Sequence, residues 1–126
     1  MTNKKFVAAI NCMDGRVQLP VNSWLKHKFN ADYVDTITEP GPVKIIAEDN
    51  DPQAVAAIKK RLEISLSKHH ASAIAIAAHA DCAGNPVARE VQLEQLRQAV
   101  EKIKQWGYEA QIIGLWVNEK WEVEEV

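Results

Sequence analysis

Short apolar runs alternate along the chain with longer segments in which apolar residues recur every three or four positions. The short runs predict four β-strands, at residues 6–10, 33–37, 71–78 and 110–117. The longer segments predict helices at residues 21–29, after Asp51-Pro52 and after Asn85-Pro86. Trp121, Val123 and Val126 alternate with glutamates and predict a final edge strand or a tail. Strands that alternate with helices favour an α/β fold, with a mainly parallel sheet of four or five strands flanked by helices.

Residue types at the element ends support these boundaries. Asp51 and Asn85 each precede a proline, which is typical of a capping side chain followed by the first helical residue. The helix after Pro86 would then direct its positive N-terminus towards Cys82. Gly107 predicts the end of that helix, because glycine readily adopts the left-handed conformation found there. Residues 39–42 contain two prolines and a glycine and predict a loop.

Size, charge and hydropathy narrow the class of protein. A length of 126 residues suits a single domain, 1–126, and 47% hydrophobic with 25% charged residues is ordinary for a globular chain. The formal net charge is −2 and no basic stripe stands out, so no nucleic-acid partner is expected. The longest apolar run, 71–78, is too short for a membrane span, and no secretory signal is visible at the start. We therefore expect a cytoplasmic protein without a membrane partner.

Two cysteines and one histidine are predicted to lie at the same edge of the sheet. Cys12 follows the first predicted strand, His79 follows the central one, and Cys82 lies three residues further on. The carboxyl ends of adjacent parallel strands meet at one edge, which is also where ligands bind in such sheets. Two thiolates and an imidazole suit zinc, and three protein ligands leave a fourth position open, as in catalytic zinc sites. The pattern therefore predicts a site for Zn²⁺.

The order Cys12-x-Asp14-x-Arg16, followed much later by His79-x-x-Cys82, resembles the paired signature of the β-class carbonic anhydrases. This resemblance implies that the chain is one short β-carbonic-anhydrase-like domain. It implies that Cys12, His79 and Cys82 are the zinc ligands and that Asp14 and Arg16 are catalytic residues beside the metal.

Residues 113–117 also look like the late strand of that family, so the similarity extends over most of the chain. The family's activity is the reversible hydration of carbon dioxide to bicarbonate by zinc-bound hydroxide, a lyase reaction. The resemblance implies that Asp14 accepts a hydrogen bond from the zinc-bound water while Arg16 holds Asp14 ionised. In some members this aspartate instead binds the zinc, and both states are open to Asp14. The family pattern also implies a homodimer or a higher homo-oligomer.

Other interpretations of these residues stay open. The chain could be a non-catalytic zinc-binding protein, a hydrolase of carbonyl sulfide or carbon disulfide, or a thiol-redox protein that uses Cys12 and Cys82. The cysteines could also be buried apolar residues, and Asp14 with Arg16 a surface ion pair. We expect Asp81 to bond backbone amides or to cap the next helix. Ala83-Gly84 follows Cys82, where the family more usually has an immediate glycine.

Overall fold

A computed structural model describes residues 3–126 of the chain. The strands in this part of the chain are β1 (Phe6–Cys12), β2 (Tyr33–Glu39), β3 (Ala73–His79), β4 (Gln111–Val117) and β5 (Val123–Glu125). The α-helices are α1 (Gln18–Phe29), α2 (Pro42–Glu48), α3 (Pro52–Lys68) and α4 (Arg89–Gln105). The strands form one sheet in the order β2-β1-β3-β4-β5, in which only β5 is antiparallel to its neighbour. The predicted α/β fold with a mainly parallel sheet is confirmed.

Two hydrophobic clusters, one on each face of the sheet, form the core. Alternate residues of β1 point to opposite faces, so Ile10 belongs to one cluster and Val7 to the other. Helices α2, α3 and α4 contribute to the cluster around Ile10, while α1 contributes to the cluster around Val7. Every residue of β3 is buried, as expected for a central strand covered on both faces.

The strand register brings the carboxyl ends of four strands to one edge. Cys12 at the end of β1 pairs with Glu39 at the end of β2, and His79 at the end of β3 pairs with Val117 at the end of β4. Strands β1 and β3 are direct neighbours, with Ile10 opposite Ile76. The loops after β1 and β3 therefore meet, as the sequence predicts for Cys12 and His79.

Two predicted helix ends are confirmed, and the start of α1 differs from the prediction. Asp51 caps α3, since its side chain accepts a hydrogen bond from the Ala54 backbone N–H at 3.1 Å. Gly107 follows α4 with a φ of +80°, in the left-handed region. Helix α1 begins at Gln18 instead of Val21, so that Pro20 lies in its first turn. Proline is tolerated there because a first-turn N–H has no partner within the helix.

Helix α2 was not predicted. Residues 39–42 were expected to form a loop, yet Gly41, with a φ of +63°, is followed by Pro42 as the first residue of a helix. Val43 and Ile46 of this helix are buried against the core. A helix of seven residues is too short to show a convincing apolar period, so only its proline start was visible in the sequence.

The predicted start of α4 near Pro86 is wrong. The helix begins at Arg89, after Ala88, which makes no side-chain cap. Asn85 is not a cap, because it is buried and its Nδ2 donates to Gln95 Oε1 at 2.7 Å. The helix therefore starts three residues further along the chain than Pro86, and Gln92 in its first turn lines the same cavity as Cys82.

Within residues 3–126 no helix is both long enough and apolar enough to cross a bilayer.

The helix face that covers the sheet should dominate the stability of the fold. Leu62 on α3 is fully buried, whereas the side chain of Leu19 on α1 is 77% exposed. We expect Leu62→Ala to lower the free energy of unfolding by about 2–5 kcal/mol, because it removes buried methyl groups and leaves a cavity. The same change at Leu19 should alter it by less than about 0.5 kcal/mol. Urea denaturation of both variants measures the difference, and equal effects would contradict the core described here.

Candidate metal centre

Three potential metal ligands converge where the loops after β1 and β3 meet. Cys12 is the last residue of β1, His79 is the last residue of β3, and Cys82 follows in the next loop. Their ligand atoms all lie within 4.8 Å of one another. All three are buried, with exposed fractions of 4%, 1% and 5%. The cluster predicted from the sequence is therefore assembled, and it could hold a metal ion.

The spacing of the two sulfurs fits a tetrahedral metal. Cys12 Sγ and Cys82 Sγ are 3.8 Å apart. Two sulfurs bound to one tetrahedral zinc at about 2.3 Å each lie about 3.8 Å from one another. A disulfide would need the sulfurs at about 2.05 Å, so the two residues are free thiols in this geometry.

The His79 ring presents a free nitrogen to the cluster. Nδ1 lies 2.7 Å from the Ala80 carbonyl oxygen, and a carbonyl can only accept, so Nδ1 carries the proton. Nε2 is then the lone-pair nitrogen of the neutral ring. It is buried and makes no hydrogen bond of normal geometry to any residue between 3 and 126, although the Cys12 thiol is close enough for each group to shift the pKa of the other. A buried acceptor without a partner is costly, and a metal ion would satisfy it.

Buried amide side chains fix the backbone around the ligands. Asn11 accepts a hydrogen bond from the Cys12 backbone N–H at 2.9 Å, and its Nδ2 donates to the Val17 carbonyl at 3.2 Å. Gln92 on α4 donates to the His79 carbonyl at 2.9 Å. The sequence interpretation missed both residues. The signals were an asparagine at the end of an apolar strand and a glutamine on the apolar face of a helix.

The electrostatic environment favours a thiolate at Cys12. Burial alone would raise the pKa of this thiol, but the His79 imidazole and the backbone N–H groups of Gly41 and Asp14 lower it to about 7. Burial and then the charge of Cys12 raise the pKa of Cys82. Burial opposes a charge on His79, yet the neighbouring Cys12 and the Ala80 carbonyl raise its pKa overall. Cys12 is thus the more readily ionised thiol.

Asp14 is paired with Arg16 and is not one of the clustered ligands. Asp14 Oδ2 accepts from Arg16 Nη2 at 2.7 Å, and Oδ1 accepts from Nε at 3.1 Å and from the Arg16 backbone N–H at 2.9 Å. These hydrogen bonds lower the pKa of Asp14 to about 2. Asp14 is therefore paired with Arg16 and lies outside the group of three residues whose ligand atoms cluster.

Arg16 is held from two further sides. Its Nη1 and Nη2 donate to Asp81 Oδ2 at 3.2 Å and to the Asp81 carbonyl at 3.1 Å. The Trp121 ring lies 4.5 Å from the guanidinium carbon, within the range of a cation–π contact. Asp81 was expected to bind backbone amides or cap a helix; it binds Arg16 instead, with a φ of +58°. The contact with Trp121 was not predicted, because the residues are distant in sequence.

A glycine allows close contact between the loop after β3 and the turn after β2. A Cβ at Gly84 would lie 2.6 Å from the Pro40 carbonyl carbon and 2.9 Å from the Gly41 nitrogen. No real side chain fits there, so the close approach requires glycine. This contact explains why position 84 is a glycine. The loop that carries Cys82 packs on the turn whose backbone N–H faces Cys12.

The fold and the cluster define an α/β domain with a candidate metal centre at the carboxyl edge of a parallel sheet. The sequence model of the family described as "Putative carbonic anhydrase" matches residues 2–126, and the chain belongs to this family. A search of curated proteins gave no match.

Replacing Gly84 should disturb the centre through backbone displacement. We expect Gly84→Ala to force the two loops apart, to lower stability by about 1–3 kcal/mol and to weaken zinc binding. Gly15→Ala is the matched control, because a Cβ at Gly15 meets nothing within 4 Å. Zinc competition with a chromophoric chelator and urea denaturation measure both quantities. Zinc affinity of Gly84→Ala equal to that of Gly15→Ala would show that the loop contact does not support the site.

Zinc affinity should rise with pH. Metal binding displaces the protons of the thiols. With the pKa of Cys12 near 7 and that of Cys82 raised, fewer protons remain to be displaced as pH increases from acid to mildly alkaline. Titration calorimetry in buffers of different ionisation enthalpy gives the affinity and the number of released protons. An affinity that does not change with pH would contradict thiolate ligation.

Proposed function

We propose that the chain is a β-class carbonic anhydrase, a zinc-dependent lyase that reversibly hydrates carbon dioxide to bicarbonate. The observation that carries this proposal is the Cys12–His79–Cys82 cluster, with Asp14 outside it and paired with Arg16. A site of this kind keeps one coordination position for a reacting molecule, whereas structural zinc sites use four protein ligands. Membership of the family supports the same activity.

The donor set supports zinc as the bound ion. Two sulfurs and one imidazole nitrogen, all buried, suit a borderline-soft cation that accepts tetrahedral geometry. Zinc supplies Lewis acidity that lowers the pKa of a coordinated water to about 7, which gives a nucleophile at neutral pH. The backbone N–H groups that lower the pKa of Cys12 also withdraw charge from its sulfur. This withdrawal counteracts the electron donation that would otherwise weaken the metal as an acid.

Asp14 acts in this proposal as a fixed acceptor. A carboxyl group with a pKa of about 2 stays ionised at every pH of interest, so it cannot store a proton between steps. Three N–H groups of Arg16 bond to Asp14, and Nε–H is shared between Oδ1 and Oδ2. A carboxylate has about four acceptor sites, so it can still accept one hydrogen bond from a water molecule and orient it. Arg16 is the positioning residue for this carboxylate. Asp81 and Trp121 in turn fix the guanidinium.

Stopped-flow measurement of carbon dioxide hydration by the zinc-loaded protein tests the proposal. We expect Asp14→Asn to reduce the catalysed rate by at least about tenfold, because a neutral amide is a weaker acceptor and no longer an ion-pair partner of Arg16. Asp51→Asn is the matched control, since Asp51 caps α3 and asparagine caps equally well. Both variants should retain zinc.

No rate above that of buffer for the zinc-loaded wild-type protein would overturn the activity. It would leave a non-catalytic zinc protein as the function of the same cluster. Absence of zinc binding, with Cys82→Ser as the reference for a lost ligand, would overturn the metal centre itself.

A further inference from the structure

Gln18 makes two hydrogen bonds to the segment that joins Cys12 to Asp14. Its Nε2 donates to the Cys12 carbonyl at 2.7 Å and to the Asp14 carbonyl at 3.1 Å. A backbone carbonyl can only accept, so the nitrogen of the Gln18 amide must face both partners, and exchanging its oxygen and nitrogen would lose both bonds. Gln18 therefore ties the backbone of a candidate metal ligand to the backbone of the proposed acceptor.

The backbone of Gln18 is anchored independently of the segment that it holds. Gln18 is the first residue of α1, a helix that packs on the sheet through its buried side chains. The preceding residue, Val17, is fully buried, and its carbonyl accepts a hydrogen bond from Asn11 Nδ2 at 3.2 Å. The Gln18 side chain thus acts from a fixed point, and a displacement of residues 12–14 would break its hydrogen bonds.

Asp14 is restrained by two different groups, of which Arg16 is the more exposed to solvent. The Arg16 side chain is 44% exposed, and water and salt screen an ion pair of this kind. The Gln18 amide is partly buried and bonds neutral carbonyls, so salt does not screen these bonds. Arg16 therefore restrains the carboxylate of Asp14, whereas Gln18 restrains the backbone that carries it.

Asp14 also lies close to the candidate ligands. Its backbone N–H acts electrostatically on Cys12, and its carboxylate acts on His79. A carboxylate is a common zinc ligand, and its attraction to a divalent cation increases as the distance falls. The position of Asp14 outside the cluster therefore depends on the groups that restrain it.

We propose that Gln18 is a positioning residue that keeps Asp14 outside the coordination group of the metal and so preserves the fourth position for a reacting ligand. This inference rests on the proposed function, which needs that position to be open. Without the two Gln18 hydrogen bonds, the backbone at Asp14 is free to shift, and the attraction between its carboxylate and the metal favours a closed site.

Azide binding to the Co²⁺-loaded protein tests this role without any assay of activity. Azide occupies an open metal position, and the visible absorption of Co²⁺ reports its binding. Gln18→Met removes both donors at similar side-chain volume. We expect this variant to retain Co²⁺ and to bind azide at least about fivefold more weakly than wild type, because Asp14 competes for the same position.

Gln53→Met is the matched control for this substitution. Gln53 also lies in the first turn of a helix, and its side chain is exposed to solvent. The control therefore makes the same chemical change at the same kind of helix position, away from the metal centre. We expect it to bind azide as wild type does.

A second substitution separates closure by Asp14 from a general distortion of the metal centre. Asp14→Ala removes the carboxylate, so the site cannot close through it. We expect Asp14→Ala and the double variant Asp14→Ala/Gln18→Met to bind azide equally, and at least as tightly as wild type. The effect of Gln18→Met would then depend on Asp14, as expected for two coupled residues. A distortion would weaken azide binding in both backgrounds.

Equal azide affinity in wild type and Gln18→Met overturns the inference and leaves the proposed function intact. Weaker binding that persists in the Asp14→Ala background also overturns it, as does a wild-type protein that binds Co²⁺ but not azide. If Gln18→Met does not fold, Gln18→Asn replaces it with the same expected results, because its side chain is one methylene too short to reach both carbonyls. The expected pattern in a protein without hydration activity would support the role of Gln18 and reject the reaction.

Discussion

The parallel pairing of β1 with β3 is the interaction on which the site depends. The two sulfurs that meet at 3.8 Å are separated by 70 positions in the sequence. Ala8, Ala9 and Ile10 pair with residues 74–76 of β3, and this short ladder sets the height of one strand relative to the other. A shift of the register would move His79 along β1 by a full residue and turn alternate side chains to the other face. The alternation of Ile74 and Ile76 on one face with alanines on the other disfavours such a shift, because it would exchange large and small side chains between two packed clusters.

Much of this arrangement could be predicted because it follows from local chemistry. Alternating strands and helices indicate a parallel sheet, and a parallel sheet brings Cys12 and His79 to one edge. Asp51-Pro52 indicated a helix start correctly because both residues act within one turn. Asn85-Pro86 has the same pattern and failed, because the asparagine amide finds a tertiary partner on α4 instead of a helix N–H. A local motif predicts well only where no distant group competes for the side chain.

The side-chain contacts that the sequence did not predict also join segments that are apart in the sequence. Trp121 contacts Arg16, Gln92 reaches the His79 carbonyl, and Gly84 packs on Pro40. Each contact joins segments whose mutual distance no local pattern encodes. The candidate ligands could be named from the sequence, whereas the groups that orient them depend on how the loops pack. Amides are well suited to this orienting role, since they supply donors and acceptors beside a charged centre without adding a further charge.

The two hydrophobic clusters also separate folding from metal loading. In very small zinc domains the ion supplies most of the folding free energy, so removal of the metal unfolds the chain. Here buried residues such as Leu25 and Leu62 hold helices on both faces of the sheet, and none of them depends on an ion. The fold would then position the three candidate ligands before any metal binds. On the proposed function, metal added to the folded apoprotein would then activate it without new synthesis.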